Sequence, residues 1–212
     1  MPALPLKGLY AVTPDLSDTA ELLRRIERAL LGGTRLVQYR AKLAGAALRR
    51  KQAAALAALC HRMGGLFVVN DDLALALEAG ADGVHLGRED GDLAAARATL
   101  GPGKILGVSC YDDMARAREA RRVGADYIAF GSVFTSTTKP GAVPAPLTLL
   151  AQAKAECGLP VCAIGGITLQ NAPQLIAAGA DLLAVISDLF EAPDIQARAA
   201  AYTRLFPQRV TT

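Results

Sequence analysis

The chain has 212 residues, a length that fits one large α/β domain or two small ones. Hydrophobic residues make up 52% of the sequence and charged residues 20%, so the chain can build a large core and intrinsic disorder is excluded. The net charge of +3 provides neither the strong positive field of a nucleic-acid-binding protein nor a basic block for a membrane surface. We therefore expect a globular protein with no nucleic-acid or membrane partner.

The cysteine pattern favours a reducing compartment. No CxxC pair occurs among the cysteines, which are Cys60, Cys110, Cys157 and Cys162. In a chain of this length they are interpreted as reduced thiols, and we expect a cytoplasmic protein without a signal peptide. The uncharged stretch 157–180 is long enough to span a membrane, but Pro160, Gly165 and Pro173 break it, so a buried segment is expected instead.

Short β-branched runs alternate with longer segments rich in Ala, Leu and Arg from end to end. The predicted strand cores are 9–12, 35–40, 66–70, 83–86, 105–109, 127–133, 160–164 and 182–187. Their near-continuous hydrophobicity is typical of parallel strands that are buried on both faces. The alternation with amphipathic helical segments predicts a parallel sheet with helical crossovers.

Eight such βα units predict an α/β fold, a single (β/α)8 TIM barrel that occupies residues 1–212. A doubly wound sheet is the alternative, but no GxGxxG motif follows the first strand, where the sequence TPDLSD stands instead. Four glycines lie between a predicted helix and the next strand and are expected to end the helices: Gly33, Gly80, Gly124 and Gly179.

In a barrel of this kind, the residues at the carboxyl ends of the strands form the active site. Gln38, Arg40 and Lys42 are spaced two apart, so their side chains leave on one face while the chain stays extended. An amide, a guanidinium and an ammonium group that converge in this way suit a phosphate or a diphosphate. The alternative is that both cations are solvated loop charges.

Carboxylates follow the neighbouring third and fourth strands. Asp71 and Asp90 are placed to share one hard cation, and Mg²⁺ is favoured because it takes one or two carboxylates together with phosphate oxygens. Asp72 competes with Asp71 for this role, since an aspartate at this position also serves as a helix cap. The spacing alone does not choose between them.

The last strands favour a phosphate site. Gly165-Gly166 and Val185-Ile186-Ser187 follow the seventh and eighth strands, where backbone amides commonly form a phosphate cup in this fold. A tight turn is the alternative role of the glycine pair. The segment 136–139 after the sixth strand adds three hydroxyls and Lys139, although hydroxyl-rich loops are often only turns.

His85 lies inside the fourth predicted strand, a position more typical of a hydrogen-bonded core residue than of a catalyst. The sequence has no Ser-His-Asp order, no HExxH motif and no cysteine spacing for a metal. A hydrolase and a zinc protein therefore have no support.

These motifs together resemble the thiamine-phosphate synthase (thiamine-phosphate pyrophosphorylase) family. The similarity covers nearly the whole chain in the same order, through GLYAVTPD, VQYRAK, VNDD, ADGVHLGRED, GVSCY, SVFTSTTKPGA, CAIGGIT and LAVIS. It implies a transferase that joins 4-amino-2-methyl-5-hydroxymethylpyrimidine diphosphate to hydroxyethylthiazole phosphate, giving thiamine phosphate and diphosphate.

The resemblance also implies roles for individual residues. It assigns Asp71 and Asp90 to Mg²⁺. It assigns the pyrimidine diphosphate to Gln38, Tyr39, Arg40, Ala41, Lys42, Asn70, Ser109 and Lys139. It assigns the thiazole phosphate to Ser136, Thr137, Thr138, Gly166, Ile186 and Ser187. The residues expected to act in the reaction itself are Arg40, Lys42, Ser109 and Lys139.

Three positions depart from the family pattern. Ala41 stands where many relatives carry an acidic residue, Arg88 where glutamine is common, and Ser136 where threonine is common. The first two change the charge near the diphosphate, whereas Ser136 keeps a hydroxyl. Alternative functions are a thiazole tautomerase of the same barrel family and a non-catalytic sensor of a phosphorylated ligand. The oligomeric state is left open, with a homo-oligomer as one alternative.

Overall fold

The computed structural model describes residues 6–135 and 145–206. It contains eight parallel strands that close into a barrel in chain order, with β8 hydrogen-bonded to β1. The strands are β1 Gly8–Val12, β2 Leu36–Tyr39, β3 Leu66–Asn70, β4 Gly83–Leu86, β5 Ile105–Tyr111, β6 Tyr127–Phe130, β7 Val161–Ile164 and β8 Leu182–Val185. The predicted (β/α)8 TIM barrel is confirmed.

Helices surround this barrel. They are α1 Thr19–Leu31, α2 Ala46–Arg62, α3 Leu73–Glu78, α4 Leu93–Leu100, α5 Met114–Arg122, α6 Thr148–Cys157, α7 Ala172–Ala177, α8 Ser187–Phe190 and α9 Ile195–Arg204. Five of the helices begin at an aspartate whose side chain accepts backbone N–H groups of the first turn: Asp18, Asp72, Asp92, Asp113 and Asp194. Within the described ranges, no helix has the length and apolar character needed to cross a membrane.

The side chains of each strand alternate between two packed layers. Residues such as Val37 and Phe67 face outward into the large core between strands and helices. Tyr10, Val68 and Tyr127 face inward and belong to a smaller cluster inside the barrel. This alternation decides which residue at each carboxyl end points into the barrel mouth.

The four predicted glycines do end helices. Gly33, Gly80, Gly124 and Gly179 all have positive φ, which glycine adopts without steric cost. The residue after each glycine donates its N–H to a carbonyl five positions earlier, as Ala125 does to Ala120. The chain thus turns sharply from each helix into the next strand.

Three aspartates, Asp82, Asp126 and Asp181, form what we call the aspartate clasps at the amino ends of the strands. In the second of them, Asp126 donates its N–H to the Leu106 carbonyl at 2.8 Å, and its carboxylate accepts the Leu106 N–H at 2.7 Å. Asp82 makes the same pair of bonds with Phe67, and Asp181 with Val161. Each clasp is paired with a cationic or imidazole side chain: His61, Arg97 and Lys154.

Two strands end two or more residues earlier than the sequence predicts. The sixth was expected to reach 133, but β6 ends at Phe130, because Gly131 lies so close to β7 that a Cβ there would be 2.0 Å from the Ile164 carbonyl oxygen. The eighth was expected to reach 187. It ends at Val185, since Ile186 caps α8 and its carbonyl accepts the Phe190 N–H at 2.9 Å.

Candidate active site

The structure brings most of the predicted site residues to the carboxyl end of the barrel. They lie at the ends of β2 to β5, β7 and β8 or just after them: Gln38, Arg40, Lys42, Asn70, Asp71, Asp90, Ser109, Gly166, Ile186 and Ser187. Ser136, Thr137, Thr138 and Lys139 lie outside the described residues, so their roles stay predictions. The predicted site residues that the structure describes therefore lie at one end of the barrel, as the topology requires.

The loop after β1 holds the loop after β2 in place. Thr13 is fully buried, and its hydroxyl both accepts the Arg40 N–H at 2.9 Å and donates to the Arg40 carbonyl at 3.0 Å. Asp15 accepts the Lys42 N–H at 2.7 Å and pairs with the Arg40 guanidinium at 3.3 Å. These contacts hold the Arg40 guanidinium and the Lys42 backbone at the rim, where the Arg40 side chain is only 18% exposed. The Arg40 guanidinium is therefore not a freely solvated loop charge, whereas Lys42 is exposed.

A cavity of about 270 Å³ opens between the loops that follow β2 and β3. Lys42, Asn70 and Asp71 line it, together with Arg49 at its helical side. A basic group, an amide and a carboxyl around one cavity suit a charged, oxygen-rich ligand.

Asp71 and Asp90 face each other. Burial, followed by a hydrogen bond and the charge of Asp90, raises the pKa of Asp71 to about 6, while the nearby charges of Lys42 and Arg40 lower it. Asp71 has a φ of 64°, an uncommon conformation for a residue other than glycine. Asp90 accepts the Gly87 N–H at 2.6 Å, which fixes its carboxylate. Two facing carboxyl groups beside two cations fit a shared divalent cation and an anionic ligand.

Asp72 has the other role that its position allows. Its Oδ1 accepts the Leu75 N–H at 2.9 Å and so caps α3, and its Oδ2 pairs with Arg49 at 2.8 Å. Of the two roles that spacing left open, Asp72 has that of the helix cap; Asp71 lines the cavity, and its role as a metal ligand stays a prediction.

The glycine pair after β7 forms a tight turn, the role given above as the alternative to a phosphate site. Gly165 and Gly166 have φ values of 103° and 62°, and a Cβ at Gly166 would lie 2.4 Å from the Thr135 carbonyl oxygen. Asn171 braces this turn by donating to the Gly166 carbonyl at 2.9 Å. The pair is thus needed for a tight turn against the β6 loop, whether or not a phosphate approaches it.

Ile186 and Ser187 begin α8 beside this turn. The adjacent acid, Asp188, is committed elsewhere, since Arg198 and the Tyr202 hydroxyl each contact it at 2.7 Å. The amide end of α8 thus borders the barrel mouth while the nearest negative charge is neutralised.

Five polar side chains link the rim to the barrel interior. Ser109 is hydrogen-bonded to His85 at 2.8 Å, and the series continues through Tyr127 and Tyr10 to Gln38. Burial is the main reason that the pKa of His85 is lowered to about 4, so its ring is neutral near pH 7. The expectation that His85 is a hydrogen-bonded core residue is confirmed.

Tyr39, Ala41 and Arg88 make contacts away from the centre of the barrel mouth. Tyr39 borders the cavity, but its side chain packs toward α2 and its hydroxyl donates to Gln52 at 2.8 Å. Ala41 also borders the cavity and packs against the outer core. The Arg88 guanidinium pairs with Asp113 at 3.6 Å and lies over the Tyr111 ring, so its charge is directed toward α5.

Arg116 and Asp15 hold the site together but are not among the residues predicted from the sequence. Arg116 on α5 donates to the Ser109 carbonyl at 2.8 Å and to the Gly87 carbonyl at 2.6 Å, which joins the ends of β4 and β5. No local pattern distinguishes it from the other arginines of that helix. Asp15 was foreseeable, because it lies in the loop that follows the first strand at the active end of the barrel.

A second groove, of about 500 Å³, lies on the helical layer. Arg24, Arg25 and Arg28 line it, and their charges are matched by Glu21 and Asp194. Its lining comes from helices and their connections rather than from strand ends, so we place no chemistry there.

The fold and the rim define a TIM-barrel enzyme with a carboxyl pair beside cations at its mouth. Comparison with known proteins gives its family. The family model for thiamine monophosphate synthase matches residues 9–189. The thiamine-phosphate synthase of Aromatoleum aromaticum is 60% identical over 97% of this chain and 99% of its own, and that of Azoarcus sp. is 57% identical over 95% and 98%. The structure of thiamine phosphate pyrophosphorylase from Pyrococcus furiosus superposes with a TM-score of 0.83 at 32% identity, covering 94% of this chain and 95% of that one.

The chain belongs to the thiamine monophosphate synthase family. It is accordingly an enzyme, a transferase of the thiamine-phosphate synthase type. The resemblance inferred from the sequence motifs is confirmed.

Proposed function

We propose that the carboxyl end of this barrel joins the pyrimidine diphosphate to the thiazole phosphate, with the residues described above in specific roles. The observation that carries the proposal is the facing pair Asp71 and Asp90, which lies within the electrostatic reach of Lys42 and Arg40. Such a set can hold a diphosphate, both through its cations and through a metal ion bound to the carboxylates.

The carboxyl pair fits Mg²⁺, because two carboxylates leave the remaining coordination positions for water and diphosphate oxygens. Asp71 and Asp90 would hold the ion. When bound, it supplies neutralisation of the diphosphate charge. The Gly87 N–H keeps the Asp90 carboxylate in place for this role.

The reaction needs a departing group to be stabilised. The bond between the pyrimidine methylene carbon and the diphosphate oxygen breaks, and its electron pair leaves with the diphosphate. The positive charges of Arg40 and Lys42 stabilise the negative charge that grows on the diphosphate. The family resemblance gives Lys139 the same role. Gln38, Asn70 and Ser109 orient the pyrimidine.

The thiazole nitrogen then uses its lone pair to form the new carbon–nitrogen bond. This step transfers no proton, so a general base is not required. Gly166, Ile186 and Ser187 are assigned to the thiazole phosphate, together with Ser136, Thr137 and Thr138. The neutral, internally bonded His85 agrees with a reaction that lacks acid–base chemistry.

We also propose small molecules as the partners of this protein, and a cytoplasmic location. All four cysteines are buried free thiols, which supports a reducing compartment.

The test is diphosphate release from the two purified substrates in the presence of Mg²⁺. Release that requires both substrates supports the proposal. Conversion of a thiazole substrate alone would indicate the tautomerase, and binding of a phosphorylated ligand without turnover would indicate the sensor.

A further inference from the structure

Beneath the rim, five polar side chains form what we call the interior network. It runs from β2 through β1 and β6 to β4 and β5, by way of Gln38, Tyr10, Tyr127, His85 and Ser109. The successive donor–acceptor distances are 2.7, 2.7, 2.8 and 2.8 Å. Gln38, Tyr10, Tyr127 and His85 are all buried, whereas barrel interiors of this fold are filled mostly by branched apolar residues.

Gly107 provides the space that the interior network needs. A Cβ at this position would lie 2.1 Å from Cζ and 2.2 Å from the hydroxyl oxygen of Tyr127. The Tyr127 ring passes over β5 at this glycine and so reaches His85 on β4. The Tyr127 hydroxyl therefore occupies a site prepared for it.

The number of protons fixes the direction of the hydrogen bonds. Tyr10 and Tyr127 each have one hydroxyl proton and two bonds, so each donates one bond and accepts the other. The neutral ring of His85 has one N–H and makes two hydrogen bonds, so it also donates one and accepts the other. Any other arrangement leaves a buried hydroxyl proton without an acceptor, which is unfavourable.

All four bonds consequently point the same way. With the Gln38 amide nitrogen donating to Tyr10, the series leads to Ser109, which accepts from His85. Gln38 keeps its carbonyl oxygen as an acceptor for a ligand, and Ser109 keeps its proton as a donor. If the Gln38 amide is rotated by about 180°, every bond reverses, so that Gln38 becomes the donor to the ligand and Ser109 the acceptor. In both arrangements one end is a donor and the other an acceptor.

We propose that Tyr10, Tyr127 and His85 are positioning residues that couple Gln38 to Ser109, so that one end presents a hydrogen-bond acceptor and the other a donor to the substrate ring. The inference rests on the proposed function, in which both ends contact the pyrimidine. An aminopyrimidine suits such a pair, because its amino group donates and its ring nitrogens accept. The network thereby favours this ring over one that presents only acceptors.

The test measures coupling between the two ends. Binding of the pyrimidine diphosphate, without the thiazole phosphate, is titrated by calorimetry for Gln38→Leu, Ser109→Ala and the double variant. The same set is then made with Tyr127→Phe, and again with Tyr10→Phe in case the first set folds poorly. In the otherwise unchanged protein, we expect the change in Kd of the double variant to differ by about 10-fold from the product of the two single changes. In the Tyr127→Phe and Tyr10→Phe backgrounds, we expect it to equal that product.

Tyr202→Phe is the matched control, since it removes a buried tyrosine bond of 2.7 Å outside the barrel interior. The coupling is expected to persist in this variant. Coupling that survives Tyr127→Phe and Tyr10→Phe, or that is absent in the parent, overturns the inference while leaving the proposed function in place. A parent protein that does not bind the pyrimidine diphosphate overturns both.

Discussion

Arg49 and Asp72 are joined by a 2.8 Å ion pair that ties the Asp72 carboxylate to α2. Asp72 is thus engaged in capping α3 and in this ion pair, whereas Asp71 is the one proposed to act in the site. This difference supplies an internal comparison for mutagenesis, because the same chemical change is available at positions next to each other.

Asp71→Asn and Asp90→Asn are each expected to lower the coupling rate by on the order of 10² to 10³, the usual loss when a group that stabilises developing charge is removed. Asp72→Asn should have little effect on the rate, because asparagine also caps a helix. Initial rates at several Mg²⁺ concentrations, with circular dichroism to verify folding, test this. Parent-like activity of either site variant at limiting Mg²⁺ would reject the metal assignment.

Arg40→Ala is expected to raise KM for the pyrimidine diphosphate and to lower kcat, because the guanidinium meets a ligand that is charged before and during reaction. Arg40→Lys should recover little of the loss, since the planar fork that can contact two oxygens is missing. Steady-state kinetics at saturating Mg²⁺ measure both effects. Full recovery by lysine would show that only a point charge is needed.

Lys139→Ala is expected to lower kcat and kcat/KM equally, which marks an interaction made mainly in the transition state. The prediction depends on the role that family resemblance gives this lysine. The measurement is the same kinetic series in each substrate. A higher KM with unchanged kcat would make Lys139 a binding residue only.

Ser187→Ala is expected to weaken thiazole-phosphate binding by about 10-fold, the loss of one hydrogen bond to a charged group, and to leave pyrimidine-diphosphate binding unchanged. Gly166→Val should weaken the same ligand but should also destabilise the protein, because its side chain would meet the Thr135 carbonyl at a φ of 62°. Separate titration of each substrate tests the assignment. Equal weakening of both ligands by Ser187→Ala would show that the two subsites are misplaced.

Asp126→Ala is expected to lower the free energy of unfolding by about 1–3 kcal/mol, since the Leu106 N–H and Arg97 both lose their acceptor. The kcat of the folded protein should not change, because this clasp lies at the amino ends of the strands. Urea denaturation and kinetics provide the two readouts. Glu156→Ala, which removes an exposed acid paired with Arg118, is the control and should destabilise much less.

Much of the fold was predictable because its signals are local. The buried strand runs and the glycine after each helix appear in short windows of sequence, and all eight strands were located from them. The early end of β6 was not predictable, since it depends on how closely Gly131 approaches Ile164. The rim residues followed from the topology once the strands were assigned.

The hydrogen bonds that connect the site residues could not be predicted from the sequence, because they join residues far apart in the chain. Tyr10 and Tyr127 form their bond across 117 residues of chain, and Arg116 finds its carbonyl partners only in the folded barrel. Likewise, Asp71 differs from Asp72 through its backbone conformation, with a φ of 64° that spacing does not encode. Contacts of this kind belong to the tertiary structure.

The aspartate clasps divide the barrel into strand pairs. Each clasp ties an odd-numbered strand to the even-numbered strand after it, through Phe67 and Asp82, Leu106 and Asp126, and Val161 and Asp181. A polypeptide severed between β4 and β5 would retain all three clasps within its two fragments, whereas a cut between β5 and β6 would divide Leu106 from Asp126. For fragment complementation or circular permutation, a connection between two such pairs, for example the one that contains α4, is thus better suited to new chain ends than a connection inside a pair.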